Sequence, residues 1–222
     1  MLRHTGGPVA SAQRVRTMPP HTVDSLAALE ALYAQPGAAS LAKEVDYLHP
    51  HYRAFVEKAP FCLLSTSNPN GGDCSPRGDS PGFVQILNDR TLLLPDRRGN
   101  NRIDSLRNIV ADPRVGLLFM IPGINETLRV SGIATISVDP ELIARCTVED
   151  KPPTTVLVIA IQSVYFQCAR ALVRSHLWSA DAQIARSTLP STGTMVATLS
   201  QNAIDGETYD RELPERLRKT LY

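Results

Sequence analysis

The sequence predicts a mainly β protein, an antiparallel β-barrel, closed or split, with helices at its periphery. Three observations carry that expectation. Roughly six or seven apolar runs of strand length follow one another between Phe61 and Gln167, most joined by connections too short for a parallel crossover. The junctions hold strong turn signals, such as Asn68-Pro69-Asn70-Gly71-Gly72 and Asn88-Asp89-Arg90. A single helical pattern, from about Arg102 to Val110, interrupts the strands midway. Closing such a sheet protects its edges from pairing with other chains.

The elements follow in order. Residues 1–20 mix basic and apolar side chains with Gly and Pro, and are expected to be a flexible extension. They lack the continuous apolar segment of a secretory signal. Leu26, Leu29 and Leu32 recur at helical spacing from Asp24 to Tyr33, with Asp24 placed to cap and Gln35-Pro36-Gly37 to stop. Helices are also expected over Ser40–Tyr47 and from Pro50 to about Lys58. Residues 21–59 are thus read as helices packing on the barrel.

The barrel core is expected over residues 60–178. Its strands are Phe61–Thr66, a return over Asp73–Arg77 and Gly82–Leu87 interrupted around Gly78 and Pro81, then Thr91–Leu94, Val115–Met120, Glu126–Ser137 and Thr154–Gln167. Gly132, inside a strand pattern, marks a bulge or a close backbone approach. The midway helix offers Ile103, Leu106, Ile109 and Val110 as its apolar face and stops at Asp112-Pro113. Short helices are expected from Asp139-Pro140-Glu141 to Cys146 and from Cys168 to Trp178. Residues 179–222, short apolar pieces among Ser, Thr, Gly and Pro, are read as an extension of the same domain.

Composition narrows the function. The chain of 222 residues is 43% hydrophobic, enough for a proper core, and its 23 Lys+Arg nearly balance 22 Asp+Glu. A general nucleic-acid binder is therefore not expected. No apolar run approaches the ~20 residues that span a bilayer. Cys62, Cys74, Cys146 and Cys168 contain no Cys-x-x-Cys pair, so neither a disulfide scaffold nor a zinc site is expected, and a cytoplasmic location is. Cys62 and Cys168 lie in apolar runs and read as small core residues.

The chemistry concentrates between residues 95 and 102. The run Thr91-Leu92-Leu93-Leu94 feeds Pro95-Asp96-Arg97-Arg98-Gly99-Asn100-Asn101-Arg102, and a helix pattern begins at once. A helix N-terminus offers unpaired N–H groups and the positive end of its dipole, and arginine adds forked donors suited to phosphate oxygens. A second basic element, Ser75-Pro76-Arg77-Gly78, lies on a neighbouring strand pattern. Two such elements on one sheet point to a phosphorylated cofactor. Arg102 is the first phosphate candidate and Arg77 the next; Asn100 or Asn101 can donate or cap the helix. Asp96 is expected to bond a ligand hydroxyl or pair with an arginine. Arg129, mid-strand, either faces solvent or reaches a cleft. Trp178 either packs or walls a cleft. No Gly-x-Ser-x-Gly, Gly-x-Gly-x-x-Gly or nucleophile–base pair is present, and no catalytic residue is assigned.

These blocks, with Pro81-Gly82-Phe83, Asp104-Ser105-Leu106, Asn108, Gly116-Leu117-Leu118-Phe119, Ile121-Pro122-Gly123, Glu126 to Val130, Gly132 and Arg174-Ser175-x-Leu177-Trp178, resemble the FMN-binding split-barrel family typified by pyridoxamine 5'-phosphate oxidase. The match is to its subgroup of predicted flavin-nucleotide-binding proteins and covers about Phe61 to Trp178. The resemblance implies a homodimer with FMN in clefts between the subunits. It implies phosphate contacts from Ser75, Arg77, Asn100, Asn101 and Arg102. Pro95 and Asp96 would lie along the ribityl chain or ring, and Thr127 near the ring. Arg129 near the flavin would favour negative charge on the reduced ring. Arg174, Ser175 and Trp178 would close the site, from the partner subunit. The Arg-Leu-His segment with which the vitamin B6 oxidases grip substrate phosphate has no counterpart in this tail.

The function expected is therefore an FMN-dependent oxidoreductase of unidentified small-molecule substrate. The alternatives are a non-catalytic flavin binder or sensor, or a binder of a deazaflavin or haem. No metal, nucleic acid or membrane partner is expected.

Overall fold

The structure is a computed structural model and describes residues 21–221. The chain divides into two units after Ala38. In the first, helix α1 (Leu26–Glu30) is capped by Ser25, whose hydroxyl accepts from Ala28 N–H, so Asp24 is not the cap. Its leucines are exposed. Helix α2 (Ala38–Ala42) is shorter than the Ser40–Tyr47 pattern suggests. The reason lies in the sheet: Val45 exchanges backbone hydrogen bonds with Val164, which takes the chain out of helical geometry.

The second unit holds helix α3 (Pro50–Lys58), strands β1 (Phe61–Asn68), β2 (Gly71–Gly78), β3 (Gln85–Asn88) and β4 (Thr91–Asp96), and helix α4 (Asp104–Ala111). Strands β5 (Arg114–Met120) and β6 (Thr127–Ser137), helix α5 (Pro140–Arg145), strand β7 (Thr155–Gln167) and helices α6 (Arg170–Ser175), α7 (Thr192–Leu199) and α8 (Gly206–Lys219) follow. The seven strands form one antiparallel sheet in the order β2-β1-β5-β6-β7-β4-β3. The fold is a mainly β split barrel: β2 and β3 end the sheet, and no ladder joins them among the described residues.

Alternation sorts each strand between two faces. Cys62, Leu64, Leu117, Phe119, Leu128 and Val130 turn inward and are nearly inaccessible, together with Leu92, Leu94, Leu157 and Ile159. Helices α3 and α4 pack against this sheet, and Val56 and Ile109 join the core. Gly132 is the close approach that its position predicts. The β6–β7 register shifts there, and a Cβ on it would lie 2.5 Å from the Ala160 carbonyl oxygen.

Several expectations need correction. Ile103 precedes α4 in the left-handed region at φ 52, and both it and Val110 are exposed, so Leu106 and Ile109 alone form the apolar face. Cys168 is exposed because it stands one residue beyond β7. The last barrel helix is only Arg170–Ser175. The tail contains two helices that its sequence pattern does not announce. They meet at a glycine contact: a Cβ on Gly193 would overlap the Gly206 carbonyl, and Gly193 N–H donates to Asp210.

Candidate functional site

Strand β2 turns Asp73, Ser75 and Arg77 to one side, half-buried, and leaves Cys74 and Pro76 exposed on the other. Four strands separate β2 from β4 in the sheet, yet their ends meet. Arg77 Nη1 donates to Asp96 Oδ1 at 2.7 Å, and Arg97 Nε donates to Asp79 Oδ2 at 2.8 Å. Crossed ion pairs, not a ladder, join the two sides of the split. Arg97 also donates to the Cys146 carbonyl at 2.8 Å.

Above this seam opens a cavity of about 610 Å³, lined by β2, the loop 97–103 and the start of α4. The loop is held in an unusual conformation. Asn101 and Ile103 both have positive φ, 61° and 52°, which an asparagine tolerates and a β-branched isoleucine adopts only at a cost of about 1–3 kcal/mol. Asn100 does not cap the helix. Its side-chain oxygen accepts from Arg102 N–H at 3.1 Å and closes a turn, while Ile103 occupies the cap position with no side-chain acceptor. Arg102 Nε donates to Asp104 Oδ2 at 2.8 Å, which aims the exposed guanidinium along the helix start. Arg98 has no ion-pair partner among the described residues.

Asp73 sits at the inner end. Its Oδ2 accepts from Ser105 Oγ at 2.6 Å and Ser75 Oγ at 2.9 Å. The Ser105 hydroxyl above all, then the Ser75 hydroxyl, the Cys74 N–H and the Arg77 charge, hold its carboxyl below the usual carboxylate range against the opposing effect of burial. Helix α4 is fixed over this corner by a buried amide: Asn108 Nδ2 donates to Thr66 Oγ1 at 3.0 Å, and Asn68 donates to Asn108 Oδ1.

The cavity thus gathers Ser75, Arg77, Asp96, Asn100, Asn101 and Arg102. Pro95 lies beside it, buried, on an adjoining cavity of about 500 Å³. The other expected residues are elsewhere in this chain. Register aligns Pro76 with Leu63, Leu118 and Arg129 in one row, so Arg129 stands three strands away and on the face opposite Arg77. It donates to the Tyr165 hydroxyl at 2.9 Å. Thr127 shares that outer face and is buried. Arg174 and Ser175 are exposed on α6, and Trp178 Nε1 donates to the Ile124 carbonyl at 2.8 Å. Asp73, Asp79 and Ser105 escaped sequence reasoning as site residues. The period of two through Ser75 and Arg77 was the signal that pointed to Asp73.

The family model described as Pyridoxamine 5'-phosphate oxidase matches residues 48–168, more than half of the chain. The chain belongs to the pyridoxamine 5'-phosphate oxidase family. No curated protein matches it. Among solved structures it resembles HupZ of Group A Streptococcus, at 12% identity over 53% of this chain and 92% of that one, with a TM-score of 0.44. It also resembles a Clostridium acetobutylicum protein related to general stress protein 26, of the pyridoxinephosphate oxidase family, at 13% identity over 53% and 85%, with a TM-score of 0.42. General stress protein 26 of Bacillus anthracis matches at 16% identity over 51% and 88%, with a TM-score of 0.35.

In this family member no helix among the described residues is long and apolar enough to cross a membrane. No group of three or more His, Cys, Asp or Glu among them could hold a metal ion.

Proposed function

We propose that this family member binds FMN with its phosphate at the loop 97–102, and acts as an FMN-dependent oxidoreductase on a small molecule. The observation that carries the reading is the shared cavity: arginines from β2 and from the loop converge on one hollow at the start of α4. The residues present suit a phosphate ester. Arg102 is pinned through Nε alone, which leaves its terminal nitrogens for a forked contact. The Nε–H of Arg77 is buried without an acceptor, a donor that a ligand oxygen would satisfy after a small shift of the side chain. The volume falls in the range of ligand sites generally, about 300–1,000 Å³. Among the described residues no histidine lines the cavity, which favours a flavin over haem.

The bound flavin would supply hydride and electron transfer. The chain's part is to bind, orient and exclude water. Arg77 and Asp96 fix the floor, Arg102 and the asparagines take the phosphate, and Pro95 shapes the adjoining wall. Thr127, Arg129, Arg174, Ser175 and Trp178 reach such a ligand only from a second copy. The outer sheet face favours a homodimer: Phe61, Leu63, Leu118 and Met120 form a half-buried apolar band there, beside Thr127 and Arg129.

The test is mass identification of the small molecule released when the purified protein is denatured, followed by reduction of the bound flavin with NADH or NADPH. FMN is expected, and Arg102→Ala is expected to strip it more readily than Arg98→Ala, whose side chain has no ion-pair partner among the described residues to orient it. Release of a non-flavin ligand, or equal retention by both variants, overturns the assignment. Bound FMN that no reductant bleaches would leave a binding protein and not an enzyme.

A further inference from the structure

The basic loop conceals the opposite hydrogen-bond polarity at the inner end of the cavity. Ser105 Oγ and Ser75 Oγ both donate to Asp73 Oδ2, at 2.6 and 2.9 Å, and the two hydroxyl oxygens are 3.2 Å apart. A serine has one hydroxyl proton, and an ionised carboxylate only accepts. Both protons are therefore committed to Asp73. What the two serines turn toward the cavity is lone pairs. Arg77 on the same face of β2 and Arg102 at the start of α4 are the cations whose charge acts on Asp73. Arg77 is itself engaged by Asp96, and Arg102 by Asp104. A phosphate dianion placed in this corner would meet one carboxylate and two acceptors, whereas a ligand hydroxyl would meet three partners that accept its proton.

We propose that Asp73 is a specificity-determining residue: it makes the Asp73–Ser75–Ser105 corner a receptor for uncharged hydroxyl groups and confines a ligand's phosphate to the loop 98–102. The proposal rests on the reading of this cavity as the site of a phosphorylated polyol, which FMN is. It assigns Ser75 to the ribityl chain and not to the phosphate. It also gives the ligand a direction, with hydroxyls against β2 and phosphate against the loop.

The test is calorimetric titration of the full-length protein with three separate probes: FMN, riboflavin and inorganic phosphate. Asp73→Ala frees both serine protons and removes the charge, so phosphate is expected to bind about tenfold tighter and riboflavin about tenfold weaker. Asp73→Asn keeps the shape and is expected to move both affinities the same way by a smaller factor, which covers failure of the alanine variant to fold. Phosphate binding that is unchanged or weaker in the variants overturns the proposal, as does riboflavin binding that is measurable in the wild type and does not fall in the variants. A wild-type protein that binds neither flavin overturns the FMN reading alone, because the phosphate comparison between wild type and variant still reads the corner.

Discussion

Arg97 and Arg98 are neighbours in one loop with the same charge, and the structure gives their removal consequences of very different size. The Arg97 side chain is 16% exposed and its partner Asp79 only 2%. Arg97→Ala removes a charge-assisted hydrogen bond to Asp79 and another to the Cys146 carbonyl. Truncating one member of a buried ion pair costs about 3–5 kcal/mol, because the other charge is left with little water. Asp79 keeps the Ser80 N–H at 2.7 Å on its Oδ1, which puts the expected loss at the lower end, about 3 kcal/mol. In a domain of this size that lowers Tm by roughly 6–12 °C. Arg98→Ala is expected to change stability by no more than about 0.5 kcal/mol. Urea unfolding followed by the fluorescence of Trp178 measures both. Equal midpoints for the two variants, or a loss below about 1 kcal/mol for Arg97→Ala, would refute the idea that this pair clamps the split. Replacing both partners, Asp79→Leu with Arg97→Met, is expected to recover more than half of the loss, since no buried charge is then left alone.

Other outcomes follow from the same geometry. Asn108→Leu leaves Thr66 buried without its donor and loosens α4 from β1, at an expected cost of about 2–4 kcal/mol by urea unfolding; a wild-type midpoint would show that the amide is not what holds the helix. Gly132→Ala places a methyl 2.5 Å from the Ala160 oxygen and 2.9 Å from Ile159 Cγ2, and is expected to cost about 2–3 kcal/mol; an unchanged thermal melt would mean that β6 and β7 can part freely. Burial pushes the Cys62 thiol up to about 12 and raises that of Cys146, whereas Cys74 and Cys168 are exposed. Two thiols of the native protein are therefore expected to react rapidly with a disulfide reagent at pH 8, and rapid reaction of all four would contradict the core. The Arg114 guanidinium holds the Asp112 carboxyl down to about 2, so its contribution is complete above about pH 4 and fades as pH falls through 2. Asp112→Asn is expected to lower stability above about pH 4, pH 7 included, to leave it little changed below pH 2, and so to flatten the stability curve across that window.

Much of the fold is legible in order along the chain. Turn residues, alternation and apolar runs are local properties, so β1, β4, β5, β6, β7 and α3 lie close to where the pattern puts them. Helices α7 and α8 were not legible. Their contact depends on two glycines that meet through space, and Pro214 inside α8 argues locally against a helix. In the candidate site, the arginines and asparagines announce a place for an anion, while of the carboxylates that engage the arginines only Asp96 announces itself. Asp96 as a partner of an arginine was within reach of the sequence; Asp79 against Arg97 was not, since nothing in either segment records that strand ends with four strands between them in the sheet come together.

The sequence by itself determined the strands, the basic loop before α4 and the family to which both belong, because each is written within a few neighbouring residues. Only the tertiary structure decided which arginines are engaged by carboxylates, that Ser75 and Ser105 spend their protons on Asp73, and that Thr127 and Arg129 face away from Arg77. Those outcomes depend on register and sheet curvature, which bring together groups tens of residues apart, and on the few ångströms over which a hydrogen bond or an ion pair acts.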